Sequence, residues 1–260
     1  MSVAQIQIQG VRKTFQGAGA PVTALTDIDL ELRAGEFVCL LGPSGCGKST
    51  LLNIIAGFLA PSAGRVLVDG APVGAPGPER GMVFQEYALF PWMTVEANIA
   101  FGLEIKGRPR GEIRDTVDRL LVMLRLTEFR ARFPKDLSGG MRQRVAIARV
   151  LALDSPILLM DDPFGALDAL TRRTLQDELL RVWEDLKKTV VFVTHSLEES
   201  IYLADRIVLM TYRPGTVKLD MAIRLPRMRD PASGEFNAVK KELGSLLMAE
   251  QQRHVEAEFS

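Results

Sequence analysis

Residues 42–50 read GPSGCGKST, between a nearly continuous apolar run, EFVCLL at 36–41, and a second apolar stretch, LLNIIAG at 51–57. The first run reads as a buried strand launched from Gly35. The second reads as the body of a helix. Between them Gly42, Gly47, Lys48 and Ser49 satisfy G-x-x-x-x-G-K-[ST]. Glycines let the backbone curl until successive N–H groups point at one anion. The helix that follows aims its positive end at the same place. Gly42, Pro43, Ser44, Gly45, Cys46, Gly47, Lys48, Ser49 and Thr50 are therefore candidates for cradling a nucleotide's phosphates. Lys48 would reach the β- and γ-phosphates and the Ser49 hydroxyl would bind Mg²⁺. The competing reading, a Gly-rich turn without a ligand, is disfavoured by the strand before the loop and the helix after it. Cys46 reads as a small side chain tolerated inside the loop. The alternative is a thiol made reactive by Lys48 and the helix N-terminus.

Working outward, Ile6 and Ile8, then Ile28, Leu30 and Leu32, repeat with a period of two, and 64–69 (GRVLVD) is a further strand before a Gly/Pro-rich loop. From about 91 to 134 the signal turns helical: Ile113, Val117, Leu120, Leu121 and Leu124 share one face. Apolar runs return at 157–160, 190–194 and 207–210, and Leu175, Leu179, Val182 and Leu186 line a helix between the first two. Buried strands alternating with helices imply a parallel sheet covered on both faces. Past Pro214 that rhythm fades, and one more amphipathic helix is expected at 235–250, carried by Phe236, Val239, Leu243, Leu246 and Leu247. His254 sits in a polar stretch and reads as solvated.

The chain has 260 residues, 47% of them hydrophobic, and its 32 Lys+Arg balance its 32 Asp+Glu. This length buries a core without disulfide or metal staples. Zero net charge argues against a general nucleic-acid binder. The longest apolar stretch, 51–60, is far short of the ~20 residues of a spanning helix, and no secretory leader is visible. Two cysteines, Cys39 and Cys46, make no disulfide framework, in keeping with a reducing cytoplasm.

Three further features narrow the chemistry. The run ILLMDD (157–162) ends in acids at a strand's C-terminal edge, where Asp161 can hold Mg²⁺ through water. LSGGM (137–141) opens a helix with Ser138 and two glycines, a second anion-binding N-terminus. His195 directly follows the strand VVFVT, where α/β sheets carry their sites. No NKxD-like guanine-reading segment is present.

In this order the motifs resemble those of the ATP-binding-cassette (ABC) ATPases, over roughly residues 3–215. The Walker A loop is GPSGCGKST, the Q-loop glutamine is Gln85 in MVFQE, the signature is LSGGMRQR and Walker B is ILLMD. The D-loop is Ala166-Leu167-Asp168, the switch histidine His195, and Phe15 stands where the family stacks an aromatic on adenine. The resemblance implies an α/β P-loop NTPase (RecA-like) core with an N-terminal antiparallel β-subdomain and a helical subdomain inserted after the Q-loop. It implies an ABC ATPase domain at 1–215, with the helical insertion at about 91–134, and a C-terminal tail at 216–260. It also implies a head-to-tail homodimer in which Ser138, Gly139 and Gly140 of one copy close on the ATP of the other, and it places Asp168 among the nucleotide-binding residues. Ser49, Gln85 and Asp161 would hold Mg²⁺, and Lys48, Gln85, Asp162 and His195 would serve hydrolysis. One departure stands out: the family carries glutamate where this chain has Asp162. One methylene fewer withdraws the carboxylate by roughly 1 Å, which can slow a reaction about 100-fold.

Three readings compete: the motor of a multi-subunit importer, a soluble ABC ATPase acting on nucleic acid or ribosomes, and a small-molecule kinase. A single P-loop, no coiled-coil insertion and no spanning run favour the first. Leu89, Phe90 and Trp92 read as exposed apolar residues where the family meets its membrane permease, between Glu86 and Ala100. PGPERGMVFQ, LFPW and PFGALDALTR resemble the nitrate/sulfonate/taurine/bicarbonate branch. That placement implies a peripheral position on the cytoplasmic face of the plasma membrane and a separate periplasmic or extracellular substrate-binding protein.

Overall fold

The computed structural model describes residues 4–17 and 19–258. In chain order the elements are β1 (Ala4–Phe15), β2 (Val22–Arg33), β3 (Phe37–Leu41), α1 (Lys48–Ala56), β4 (Ala63–Val68), β5 (Ala71–Pro72), β6 (Arg80–Val83), α2 (Val95–Ile105), α3 (Arg110–Met123), α4 (Gly139–Ala152), β7 (Ile157–Asp161), α5 (Ala169–Leu186), β8 (Thr189–Thr194), α6 (Leu197–Leu203), β9 (Arg206–Met210), β10 (Val217–Ala222) and α7 (Gly234–Glu258). They fall into two compact units: the chain up to Gly77 together with Thr189 onward, and Pro78–Lys188.

In the first unit β2, β1, β4 and β5 form an antiparallel sheet in that order. Its register brings apolar residues opposite one another, Ile6 with Leu32, Ile8 with Leu30 and Val11 with Ile28. All six are buried, so the period-two alternation closes one face against the core. The strand β3 runs parallel to β8 on one side and β9 on the other. Every residue of β3 is buried, which explains its unbroken apolar run. Helix α1 packs on β8, and the sharp turn from β3 into α1 is the loop 42–47.

The C-terminal segment departs from its sequence reading. A further strand, β10, pairs antiparallel with β9, and α7 runs for 25 residues, longer than its 235–250 expectation. His254 is not simply solvated: its ring lies 4.6 Å from that of Tyr212. The charged and polar residues of β10 hide the strand because the edge of a sheet leaves one side open.

The second unit pairs β6 and β7 in parallel, Met82 opposite Leu159. Helix α4 packs on β6 and on α2, and α2 on α3. Val117, Leu120, Leu121 and Leu124 are buried as their spacing predicts, with Ile113 half-buried; on α5, Leu175, Leu179 and Val182 are buried and Leu186 is exposed. Among the described residues no helix is long and apolar enough to cross a membrane.

A buried arginine ties the tail to the first unit. The Arg229 guanidinium donates from Nη1 to the carbonyls of Ile201 (2.5 Å) and Ala204 (2.6 Å), and from Nε to Leu225 (3.1 Å). It thereby closes the C-terminal end of α6, whose last carbonyls have no intrahelical partner. Burial, reinforced by the neighbouring Arg227 cation, brings its pKa down to about 10. Both thiols are enclosed as well: Cys39 and Cys46 have no exposed surface. Burial pushes the Cys46 thiol up, against the opposing pull of Lys48, so the activated-thiol alternative loses its physical basis.

Two outcomes follow. Arg229→Met, which leaves those carbonyls buried without a donor, should lower unfolding free energy by about 3 kcal/mol in urea titrations. In the native protein at pH 7 both cysteines should resist a maleimide that labels two thiols at once after denaturation.

Candidate nucleotide-binding site

The first unit contributes the cradle. Gly45 and Gly47 lie at φ 73° and 96°, in the left-handed region that side chains with a Cβ rarely adopt. At Gly47 a Cβ would also stand 2.6 Å from Leu25 Cδ2 and 3.0 Å from the Ala24 carbonyl, so only glycine fits. Gly47 is the N-cap of α1 and supplies no side-chain cap. The helix therefore presents its positive N-terminal end without a capping side chain at that residue, a place that stabilises an anion. Lys48 is 8% exposed and donates to the carbonyls of Gly42 (2.7 Å) and Pro43 (2.8 Å). Its charge is held across the loop by the loop's own backbone.

Phe15, Val22, Ala24, Gly45, Gly47, Lys48, Ser49, Thr50 and Arg213 line a cavity of about 220 Å³. The lining carries two cations and no carboxylate, in a chain whose net charge is zero. Phe15 is 42% exposed, with the Lys13 ammonium 5.2 Å from its ring centroid. Its ring is a platform at the mouth rather than a core residue. Ser44 and Ser49 are exposed and Thr50 is half-buried.

His195, exposed at the end of β8, is framed by a small polar knot. The Thr194 hydroxyl donates to Glu199 (2.5 Å), the Ser196 amide to Thr194 Oγ1 (3.0 Å), and the Glu199 amide to Ser196 Oγ (3.3 Å). This knot fixes the backbone on both sides of the imidazole.

The second unit holds the remaining candidates. Gln85 and Glu86 follow β6 and are exposed, and Tyr87 and Ala88 turn at φ 40° and 49°. Arg149 of α4 holds that turn, donating to the carbonyls of Ala88 (2.6 Å) and Tyr87 (3.3 Å), with its guanidinium 5.4 Å from the Phe90 ring centroid. Burial lowers its pKa. Ser138 caps α4, its Oγ accepting from the Met141 amide at 3.3 Å. A Cβ on Gly140 would lie 2.6 Å from Thr171 Cγ2, so the glycine lets α4 and α5 approach. The Q-loop and the signature helix are therefore bound together, a link absent from any motif.

Asp161 ends β7 half-buried, and Asp162 follows at φ 43°, a conformation that aspartate tolerates better than most side chains. Asp168 caps α5, accepting from the Thr171 amide at 3.0 Å; that bond holds its pKa below the ordinary carboxylate value. Arg172 donates to the carbonyls of Phe164 (3.2 Å) and Leu167 (2.8 Å) and so shapes the 162–168 loop. Leu89 and Phe90 are half-buried, Phe90 lying 4.5 Å from the Phe101 ring, which corrects their reading as exposed. Trp92 alone of the three projects, 70% exposed.

Ser49 in the first unit, and Gln85 and Asp161 in the second, each offer oxygen donors, the chemistry Mg²⁺ prefers. Among the described residues no group of three or more His, Cys, Asp or Glu is arranged to hold a metal. Arg149, Arg172 and Arg213 were missed by the sequence reading, since an arginine on a helix or in a loop carries no spacing signal.

Residues 25–165 match the protein family described as ABC transporter. The chain is 50% identical over 246 residues to an uncharacterized ABC transporter ATP-binding protein of Methanocaldococcus jannaschii, covering 95% of this chain and 92% of that one. It is 48% identical over 223 residues to the taurine import ATP-binding protein TauB of Roseobacter denitrificans, covering 86% and 82%. Among solved structures it is similar to the ATP-binding cassette MJ0796 in a dimeric post-hydrolysis state bound to ADP and Pi, with a TM-score of 0.75 and 34% identity over 85% of this chain and 100% of that one. With the fold, the uncapped cradle and these likenesses in hand, the chain belongs to the ABC transporter family and is one of its ATP-binding, ATP-hydrolysing proteins.

Proposed function

We propose that this chain is the motor subunit of a multi-subunit importer for a small anion of the nitrate, sulfonate, taurine or bicarbonate kind. Closure of a head-to-tail homodimer around MgATP would drive it. The observation that carries the dimer is the cavity itself. At about 220 Å³ it falls below the ~300–1,000 Å³ of a self-sufficient ligand pocket. A triphosphate seated there needs a second surface, and the Ser138-capped start of α4, with Ser138 exposed, is chemically fit to supply one from the other copy. The dimeric MJ0796 cassette supports the same reading.

In this scheme the amides of 42–50 and the Lys48 ammonium take the charge of the β- and γ-phosphates, and Phe15 stacks on the base. Ser49, Gln85 and Asp161 would hold Mg²⁺, which would supply charge neutralisation on the phosphates. Asp162 accepts a proton from the attacking water and His195 donates a hydrogen bond to the γ-phosphate. Ser138, Gly139 and Gly140, with Asp168, complete the enclosure from the partner copy. Trp92 and the segment between Glu86 and Ala100 meet the permease, and a separate binding protein delivers the cargo. The taurine importer's ATP-binding protein supports the substrate class. The chain would work at the cytoplasmic face of the membrane.

Lys48→Ala should abolish ATP hydrolysis by the purified protein. Asp162→Glu should raise turnover by about tenfold or more, because the shorter acid stands back from the water; an unchanged rate means that the backbone at 162 already compensates. Trp92→Ala should uncouple transport in reconstituted vesicles with basal ATPase intact, and equal loss of both would assign Trp92 to packing. Co-purification with an integral membrane partner checks the importer assignment directly.

A further inference from the structure

The loop that follows β9 reaches the nucleotide cradle. Gly215 donates to the Ala24 carbonyl (2.9 Å) and accepts from the Thr26 amide (3.0 Å), fixing residues 211–216 against β2. The Thr211 hydroxyl closes the loop on itself through the Pro214 carbonyl at 2.8 Å. From this support Arg213 extends over the cradle: its Nε donates to the Gly45 carbonyl at 3.1 Å, and a Cβ on Gly45 would meet its Nη2 at 3.2 Å. Arg213 is exposed and lines the cavity beside Phe15 and Lys48. One donor is spent on the loop, and the planar fork, with its further donors, lines the same cavity as Lys48.

The C-terminal helix sets this arrangement from behind. Glu250 of α7 has no exposed surface. Its carboxylate accepts from the Tyr212 amide (2.9 Å), from Lys218 (2.5 Å) and from Arg253 (3.1 Å). The Tyr212 ring packs on His254 of the same helix. Residue 212 is thus gripped by α7, and residue 213 is the next along the chain.

We propose that Arg213 binds the phosphate chain of the nucleotide as a second cation beside Lys48, and that Glu250 is the positioning residue that aims it through Tyr212. This makes the segment after residue 215 part of the nucleotide site's support. The proposal rests on the ATP reading of the cavity, and the experiment separates the two. ATP and ADP dissociation constants are measured for the intact wild-type chain and for Arg213→Ala, Arg213→Gln and Arg213→Lys. A contact through charge weakens binding by about tenfold in the Ala and Gln variants and by less than about threefold in the Lys variant. Glutamine still offers a donor to the Gly45 carbonyl, so a Gln variant that binds like wild type would show that Arg213 merely props the loop, and the proposal fails. A folded wild type that binds no ATP overturns instead the reading of the cavity.

For Glu250 the readout is a cycle. Glu250→Gln should weaken ATP binding about threefold beside Arg213 and have no further effect beside Arg213→Ala. Equal weakening in both backgrounds would show that Glu250 acts only on tail stability.

Discussion

The nucleotide cradle in the first unit depends on one left-handed turn, at Gly47, where β2 and the start of α1 meet. As the N-cap of α1, Gly47 offers no side chain to the helix start, so the positive end of α1 opens towards the cavity lined by Gly47, Lys48, Ser49 and Thr50. The loop can make this turn only because it has a glycine where Leu25 and Ala24 leave no room for a Cβ. A side chain there would either push β2 away or open the turn. The phosphate site is in this sense a packing consequence of β2, β3 and α1 meeting at one glycine.

Charge follows the same economy of placement. The chain is neutral overall, yet the cavity is lined by Lys48 and Arg213 with no acid among its lining residues. The attraction for a polyanion is local to the cavity. Lys48 is kept in place by two carbonyls of its own loop. Its stem therefore gives up little freedom when a phosphate arrives.

Outside the cradle, arginines give the irregular segments their shape. Arg149 holds the 87–88 turn, Arg172 holds the 162–168 loop and Arg229 closes α6, each by donating to two or more backbone carbonyls. A planar fork with five donors suits this task better than an ammonium. In each case a loop near a candidate catalytic or sensing residue, or the helix after His195, is fixed by a side chain whose donors are spent on backbone carbonyls.

The parallel strands, the helical stretch within Pro78–Lys188 and the phosphate loop were legible from residues alone, because burial imposes periods of 2 and 3.6 and because phosphate binding demands glycine at fixed spacing. Ser138, Asp161 and His195 stood out by their place at a helix start or a strand end, and Gln85, Asp162 and Asp168 only through the resemblance to the ABC ATPases. Three things were decided only by tertiary structure. The edge strand β10 is too polar to announce itself. Phe90 turns inward onto Phe101 while Trp92, two residues on, stays outside. Arg213 meets the cradle only because the chain folds back over β2, and Glu250 meets Tyr212 only because α7 returns to it. Sequence pattern records what is near in the chain and what must be buried; the approach of distant polar groups depends on how the elements pack, which no local period encodes.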